Sequence, residues 1–157
     1  MMILKKLFKM KLTINKIFII LMILSFLGFV DSSYLTITDY KHIIPPCTIT
    51  QGCEKVLSSS FATIYGIPLA FFGVLYFATS MLLNVSMLHR SHNPLLRRLF
   101  ILFNSSGVIT AIILLVIQFL VIKALCQYCM LVELLLFLIF YFSILFLKRS
   151  KISLTHL

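Results

Sequence analysis

The chain has 157 residues, 61% of them apolar and only 11% charged, with 14 Lys and Arg against 4 Asp and Glu. Soluble domains carry about 45–50% apolar and about 25% charged residues, so too few polar side chains remain to cover a water-exposed surface; disorder is excluded by the same hydrophobicity. A formal charge of +10 would point to nucleic acid in a soluble protein, but in a membrane chain the placement of the charges decides their meaning, and no nucleic-acid partner is expected.

The first apolar stretch runs over 17–30 and is preceded by Lys5, Lys6, Lys9, Lys11 and Lys16. A bilayer core of ~30 Å takes ~20 helical residues, so this segment spans only if the helix continues through Asp31-Ser-Ser-Tyr-Leu-Thr-Ile. A basic stretch followed by a short apolar run also describes a cleaved signal peptide. The small-x-small cleavage pattern is missing around Gly28-Phe29-Val30-Asp31, and an uncleaved helix over about 13–38 is expected. An outer loop carrying a short helix follows over 39–66. Tyr65-Gly66-Ile67-Pro68 leads into a second helix over 67–88, with Pro68 tolerated in its first turn. Apolar runs then predict helices over 97–122 and 126–147. The expected fold is an all-α membrane protein, a single integral domain built as a four-transmembrane-helix bundle.

Eleven of the 14 basic residues fall in three clusters: the five N-terminal lysines, then Arg90, Arg97 and Arg98, then Lys148, Arg149 and Lys151. With four spans these clusters share one face, which the positive-inside bias makes cytosolic, as are both termini. Lys41, Lys55, Lys123, Asp31, Asp39 and Glu54 then belong to the outer segments. Asn104-Ser-Ser-Gly107 lies in the cytosolic half of the third helix, where small residues permit close helix packing.

All four cysteines map to the outward face: Cys47 and Cys53 in the long loop, Cys126 and Cys129 where the fourth helix begins. That face is the oxidising one in most organisms. Cys126-Gln-Tyr-Cys129 puts two sulfurs on neighbouring positions at a helix start, where unpaired N–H groups and the positive dipole end favour a thiolate. Lys123 just upstream adds to this. A thiolate is what thiol–disulfide exchange requires. Two other readings stay open on spacing alone. Four cysteines can hold zinc, but five residues separate Cys47 from Cys53 and only His42 among the histidines lies outside; no metal is expected. A static disulfide could simply staple the loop to the last helix.

The run Cys53-Glu-Lys-Val-Leu-Ser-Ser-Ser-Phe-Ala-Thr-Ile-Tyr-Gly-Ile-Pro, then a helix, a basic loop, a helix and Cys-x-x-Cys opening the last helix, resembles the vitamin K epoxide reductase family. It is most similar to the bacterial members without a fused thioredoxin-like domain, over roughly residues 15–147. The other four-helix, quinone-coupled disulfide oxidases carry Cys-x-x-Cys in the first outer loop, the reverse of the order here. The resemblance implies an integral protein of the bacterial cytoplasmic membrane with its redox cysteines outside. It implies catalytic Cys47, Cys53, Cys126 and Cys129: Cys47 meets an exported thioredoxin-fold dithiol protein, Cys53 passes electrons to Cys126, and Cys129 faces a quinone of the ubiquinone, menaquinone or vitamin K type. The net reaction is dithiol + quinone → disulfide + quinol. The loop pair would swing between partner and Cys126, with Gly52 supplying backbone freedom.

Three more residues are expected at the quinone. Ser59 matches the serine that follows the loop pair in the family; its other reading is a helix cap before Phe61-Ala-Thr-Ile. Glu133, one helical turn below Cys129, takes the place of a tyrosine in the animal enzymes. An ionisable group inside a span is a functional candidate, and a carboxyl there could serve a quinone oxygen; otherwise it pairs with Lys123 or Gln118. Ala62 stands roughly where animal members carry an asparagine, which counts against vitamin K epoxide itself as substrate. The alternatives to a thiol oxidase are a quinone or quinone-epoxide reductase whose product is the quinol, and a non-enzymatic membrane subunit with structural disulfides.

Overall fold

A computed structural model describes residues 2–47, 52–90 and 93–155, with side chains over 14–47, 52–90 and 93–149. The side chains of Lys5, Lys6, Lys9, Lys11 and Lys151, together with residues 48–51, His92 and His156, lie outside the described residues. The chain is an all-α membrane protein: among the described residues, four helices are long and apolar enough to cross a bilayer, over Ile14–Tyr40, Leu69–His89, Pro94–Ile122 and Gln127–Arg149.

Helix α1 (Met2–Tyr40) carries the short first apolar run to membrane length by continuing through the polar segment after Val30. Ser33, Thr36 and Thr38 donate their hydroxyl protons to the carbonyls of Phe29 (2.6 Å), Ser32 (2.7 Å) and Tyr34 (3.1 Å) of the same helix. Such back-bonding lets hydroxyls enter a low-dielectric span without an unmet donor. Asp39, expected at the start of the outer loop, is therefore a helical residue of α1, as is Asp31.

The five-residue α2 (Cys53–Leu57) is followed by a small hairpin of β1 (Thr63–Ile64) and β2 (Ile67–Pro68), paired antiparallel with Thr63 opposite Pro68 and Ile64 opposite Ile67. Tyr65 (φ 50°) and Gly66 (φ 79°) make the turn; positive φ at both central positions matches the twist of a two-residue hairpin. Pro68 is thus the residue before α3 (Leu69–His89) and not within its first turn. Helix α4 (Pro94–Val116) starts at an Asn93 cap, whose side chain accepts from the Leu95 N–H, and runs on as a π-helical turn over Ile117–Ile122. Helix α5 spans Gln127–Thr155.

Around the bundle α1 packs on α3 and on α5, and α4 packs on α3 and on α5. This leaves α3 and α5 diagonally opposed. Helix α5 is the most enclosed span, with 39% of its most apolar window buried against 22% in the other three, so the bundle is organised around it. The core joins Ile17, Leu21, Phe77, Phe100, Ala111, Ile139 and Phe146. At Gly28 any side-chain carbon would collide with the Phe77 ring, which places that small residue at a close helix crossing. Ser25 bonds both Ser80 and Asn84 between α1 and α3, Oγ to Oγ at 3.1 Å and Asn84 Nδ2 to Ser25 Oγ at 3.3 Å. The outward faces carry half-exposed Ile19, Ile23, Leu82 and Ile109, as lipid contact requires and water would not tolerate.

Candidate active site

The four cysteines converge at the end of the bundle where α1 finishes and α5 starts. Cys53 and Cys126 are both buried in one cluster with Val56 and Ile122, and Cys47 and Cys129 pack against it, partly buried. Cys47 and Cys53 form a disulfide with Cα atoms 6.1 Å apart, while Cys126 and Cys129 are free.

Two contacts hold the loop pair in place. The Tyr128 hydroxyl, in the first turn of α5, donates to the Pro46 carbonyl at 3.1 Å, next to Cys47. At the other end Gly52 lies against the 123–125 link: a Cβ there would sit 2.6 Å from the Leu125 oxygen and 2.7 Å from its nitrogen. Gly52 has φ −100° and ψ −1°, a conformation open to any residue. The glycine at this position is required for close approach and not, as expected from sequence, for backbone freedom.

Cys126 is the cap of α5 rather than its first helical residue. Its carbonyl accepts from Met130 N–H at 2.9 Å, and its Sγ accepts from Cys129 N–H at 3.5 Å. The Cys126 thiol is held below the ordinary thiol range, to about 7, first by a hydrogen bond from the Cys129 side chain and then by the backbone N–H groups of Cys129 and Tyr128; burial and the Asp31 charge oppose them. Hydrogen bonds at a helix start, and not the exposed Lys123 ammonium, favour the thiolate. With the loop disulfide intact, the ultraviolet thiolate absorbance owed to Cys126 should therefore rise with pH to a midpoint of about 7. The difference spectrum against Cys126→Ala reads this, and a midpoint at the ordinary thiol value of about 8.5 would contradict it.

Gln118 ties this cap to Glu133. Its Nε2 donates to Glu133 Oε1 at 2.6 Å, and its Oε1 accepts from Cys126 N–H at 3.2 Å. Both side chains are buried. The π-helical turn is what makes the bridge: the widened turn ends at Lys123 in a left-handed conformation (φ 53°), and the N–H groups of Lys123 and Ala124 both bond the Gln118 carbonyl. Of the two expected partners for Glu133, Gln118 is the one present. The sequence offers Gln118 as a partner of Glu133 but carries no signal of its second bond, to Cys126.

Beside the cysteines lies a mostly apolar cavity of about 290 Å³, walled by residues of all four long helices and by the segment after α2. Cys129, Glu133, Ser59 and Ala62 all line it, so the four residues expected at a quinone share one wall system. Ser59 does not cap a helix before Phe61: its hydroxyl donates back to the Val56 carbonyl at 2.7 Å, closing α2, and Thr63–Ile64 is a strand. Ala62 joins the hairpin to α3, accepting from Leu69 N–H at 2.8 Å. An apolar cleft with few polar groups, opening among lipid-facing helices, has the character of a site for a flat, sparingly polar ring such as a quinone. Glu133 Oε2 is buried in this wall without a partner, a polar atom left for a ligand to satisfy.

A sequence model described as the vitamin K epoxide reductase family matches the chain over residues 19–144. No curated protein matches it.

Proposed function

The chain belongs to the vitamin K epoxide reductase family, and from that premise we propose that it is a thiol oxidase that regenerates the disulfide of an exported thioredoxin-fold protein and delivers the electrons to a membrane quinone. Membership itself carries the coarser statement, a quinone-linked oxidoreductase of the membrane. The observation that carries the finer one is the burial of Cys53 and Cys126 in a single cluster, one from each pair, with Cys129 on the wall of the adjoining cavity. A staple between the loop and the last helix would join a cysteine of each, whereas the disulfide present lies within the loop pair and Cys126 and Cys129 are free.

In this reading a thiolate of the partner attacks Cys47, Cys53 leaves, and the partner's second thiol displaces Cys47 to form the partner's disulfide. Cys53 then attacks Cys126 of an oxidised Cys126–Cys129 pair, and Cys129 leaves as a thiolate. Cys47 closes on Cys53 and releases Cys126. The reduced inner pair returns to a disulfide, and its two electrons and two protons leave with the quinol. Cys126, the better-stabilised thiolate, is the good leaving group and nucleophile of the pair. Gln118 orients Glu133 so that Oε2 is available to carry a proton at the ring oxygen. When bound, the quinone supplies an oxidant strong enough to keep the relay running outward to inward. The basic clusters support an outer-face position for the cysteine end, and in this reading the membrane is the bacterial cytoplasmic one.

The test is purified protein in lipid with a reduced thioredoxin-fold donor and a short-tailed quinone. One quinol per donor disulfide is expected, with none when quinone is withheld. Oxidation of donor without quinol, or no turnover at all, would sink the reading; quinol formed from a quinone epoxide at a faster rate would move the activity to the reductase alternative.

A further inference from the structure

Six buried side-chain polar atoms lack a partner among the described residues, and only two of them belong to the cavity wall: Glu133 Oε2 and the Tyr76 hydroxyl. They come from α5 and α3, the diagonally opposed helices of the bundle. Both residues line the cavity, one on each of the two opposed helices, and the rest of its wall is mostly apolar. A para-quinone has the complementary form, two carbonyl oxygens on opposite edges of an apolar ring.

The Tyr76 hydroxyl is also held in one place. Its ring stacks on Phe103 at 4.6 Å with the planes 10° apart, and meets Phe77 edge-on at 5.4 Å. Its oxygen rests against Gly107 of α4, where any side-chain carbon would collide with it. Packing on three sides removes the rotamer freedom that a buried tyrosine would use to find another partner. A phenol is a donor, and a quinone oxygen is an acceptor.

We propose that Tyr76 is a quinone-positioning residue, donating a hydrogen bond to the carbonyl oxygen on the side away from α5 while Cys129 and Glu133 face the other edge of the ring. This rests on the quinone reading above. Gly107 belongs to the same device, since it leaves the space in which the hydroxyl sits.

The probe is the purified protein in lipid, with a short-tailed benzoquinone and a short-tailed naphthoquinone as acceptors. Tyr76→Phe removes one oxygen and keeps the ring, so the fold is retained. It should raise the KM for quinone about threefold to tenfold, the range for loss of one neutral hydrogen bond, while the KM for the thiol donor stays unchanged. Gly107→Ala should move the quinone KM in the same direction. In the infrared difference spectrum of a carbonyl-labelled quinone, one carbonyl band should be lowered by the wild-type protein and return upward in Tyr76→Phe. An unchanged quinone KM and an unchanged band in a wild type that turns over would overturn this inference alone. Equal loss toward both substrates would also overturn it, since that reports a structural role. Failure of the wild type to reduce any quinone would instead remove the function on which it rests.

Discussion

Replacing Cys129 with alanine should abolish quinol formation, by at least about 10³-fold, while leaving exchange between the donor and Cys47–Cys53 intact. The size of the effect follows from the chemistry: a two-electron transfer that ends in a disulfide has no route when one of its sulfurs is gone. Cys129 is the cysteine on the cavity wall, whereas Cys126 is buried beneath the loop pair. The variant should accumulate with the loop pair reduced by the donor and Cys126 a free thiol, because no inner disulfide can form to reoxidise the loop. Peptide mapping under acid quench reads that species. Quinol production at the wild-type rate would show that the inner pair is not in the path.

A second large loss is expected from one methyl group placed beside Cys53. Gly52→Ala places a carbon within 2.6 Å of the Leu125 oxygen and 2.7 Å of its nitrogen. These are backbone atoms of the 123–125 link, held by Gln118 and by the cap of α5, and they cannot rotate aside. The start of α2 must back away, and Cys53 with it. A displacement of about 1 Å at reacting atoms can cost about 10²-fold, so internal exchange between the pairs should slow by that order. Donor attack on Cys47 should continue, and the donor should be found trapped or the loop pair reduced. Single-turnover assays with rapid quench separate the two steps. Serine in place of glycine should behave as alanine does, which a requirement for backbone freedom alone would not distinguish from bulk; the steady geometry of Gly52 at φ −100° says bulk is the cause.

The bundle was largely legible because a bilayer asks simple things of a sequence. Apolar length located three of the four spans to within a few residues. The first needed its serines and threonines to be read as helix, and their bonds to carbonyls four residues back show why that works. The cysteine constellation was legible from order and spacing once the charges had assigned the sides. What stayed hidden depended on backbone detail. A lone Gln118 in an apolar run looks like an interface residue, and only the widened turn over Ile117–Ile122 aims it at both Cys126 and Glu133. Tyr76 is one aromatic among many until its hydroxyl is found without a partner. Asp39 reads as the start of the outer loop, yet α1 runs through it to Tyr40. Gly52 was noticed for the wrong property, since sequence shows that a side chain is missing but not what occupies its space.

The two anchors of the loop pair have a consequence for its concentration rather than its position. Pro46 is tied to Tyr128, and Gly52 is seated on Leu125, and neither contact involves a sulfur. Opening the Cys47–Cys53 bond therefore leaves both thiols tethered at the start of α5. Each remains at the high effective molarity that an intramolecular reaction between well-placed groups enjoys. In the proposed relay, both loop thiols then stay within reach of an oxidised Cys126–Cys129 pair, which takes their two electrons as the Cys47–Cys53 bond re-forms. With Cys53 and Cys126 already in one buried cluster, the proposed exchange between the pairs calls for only a small displacement of α2.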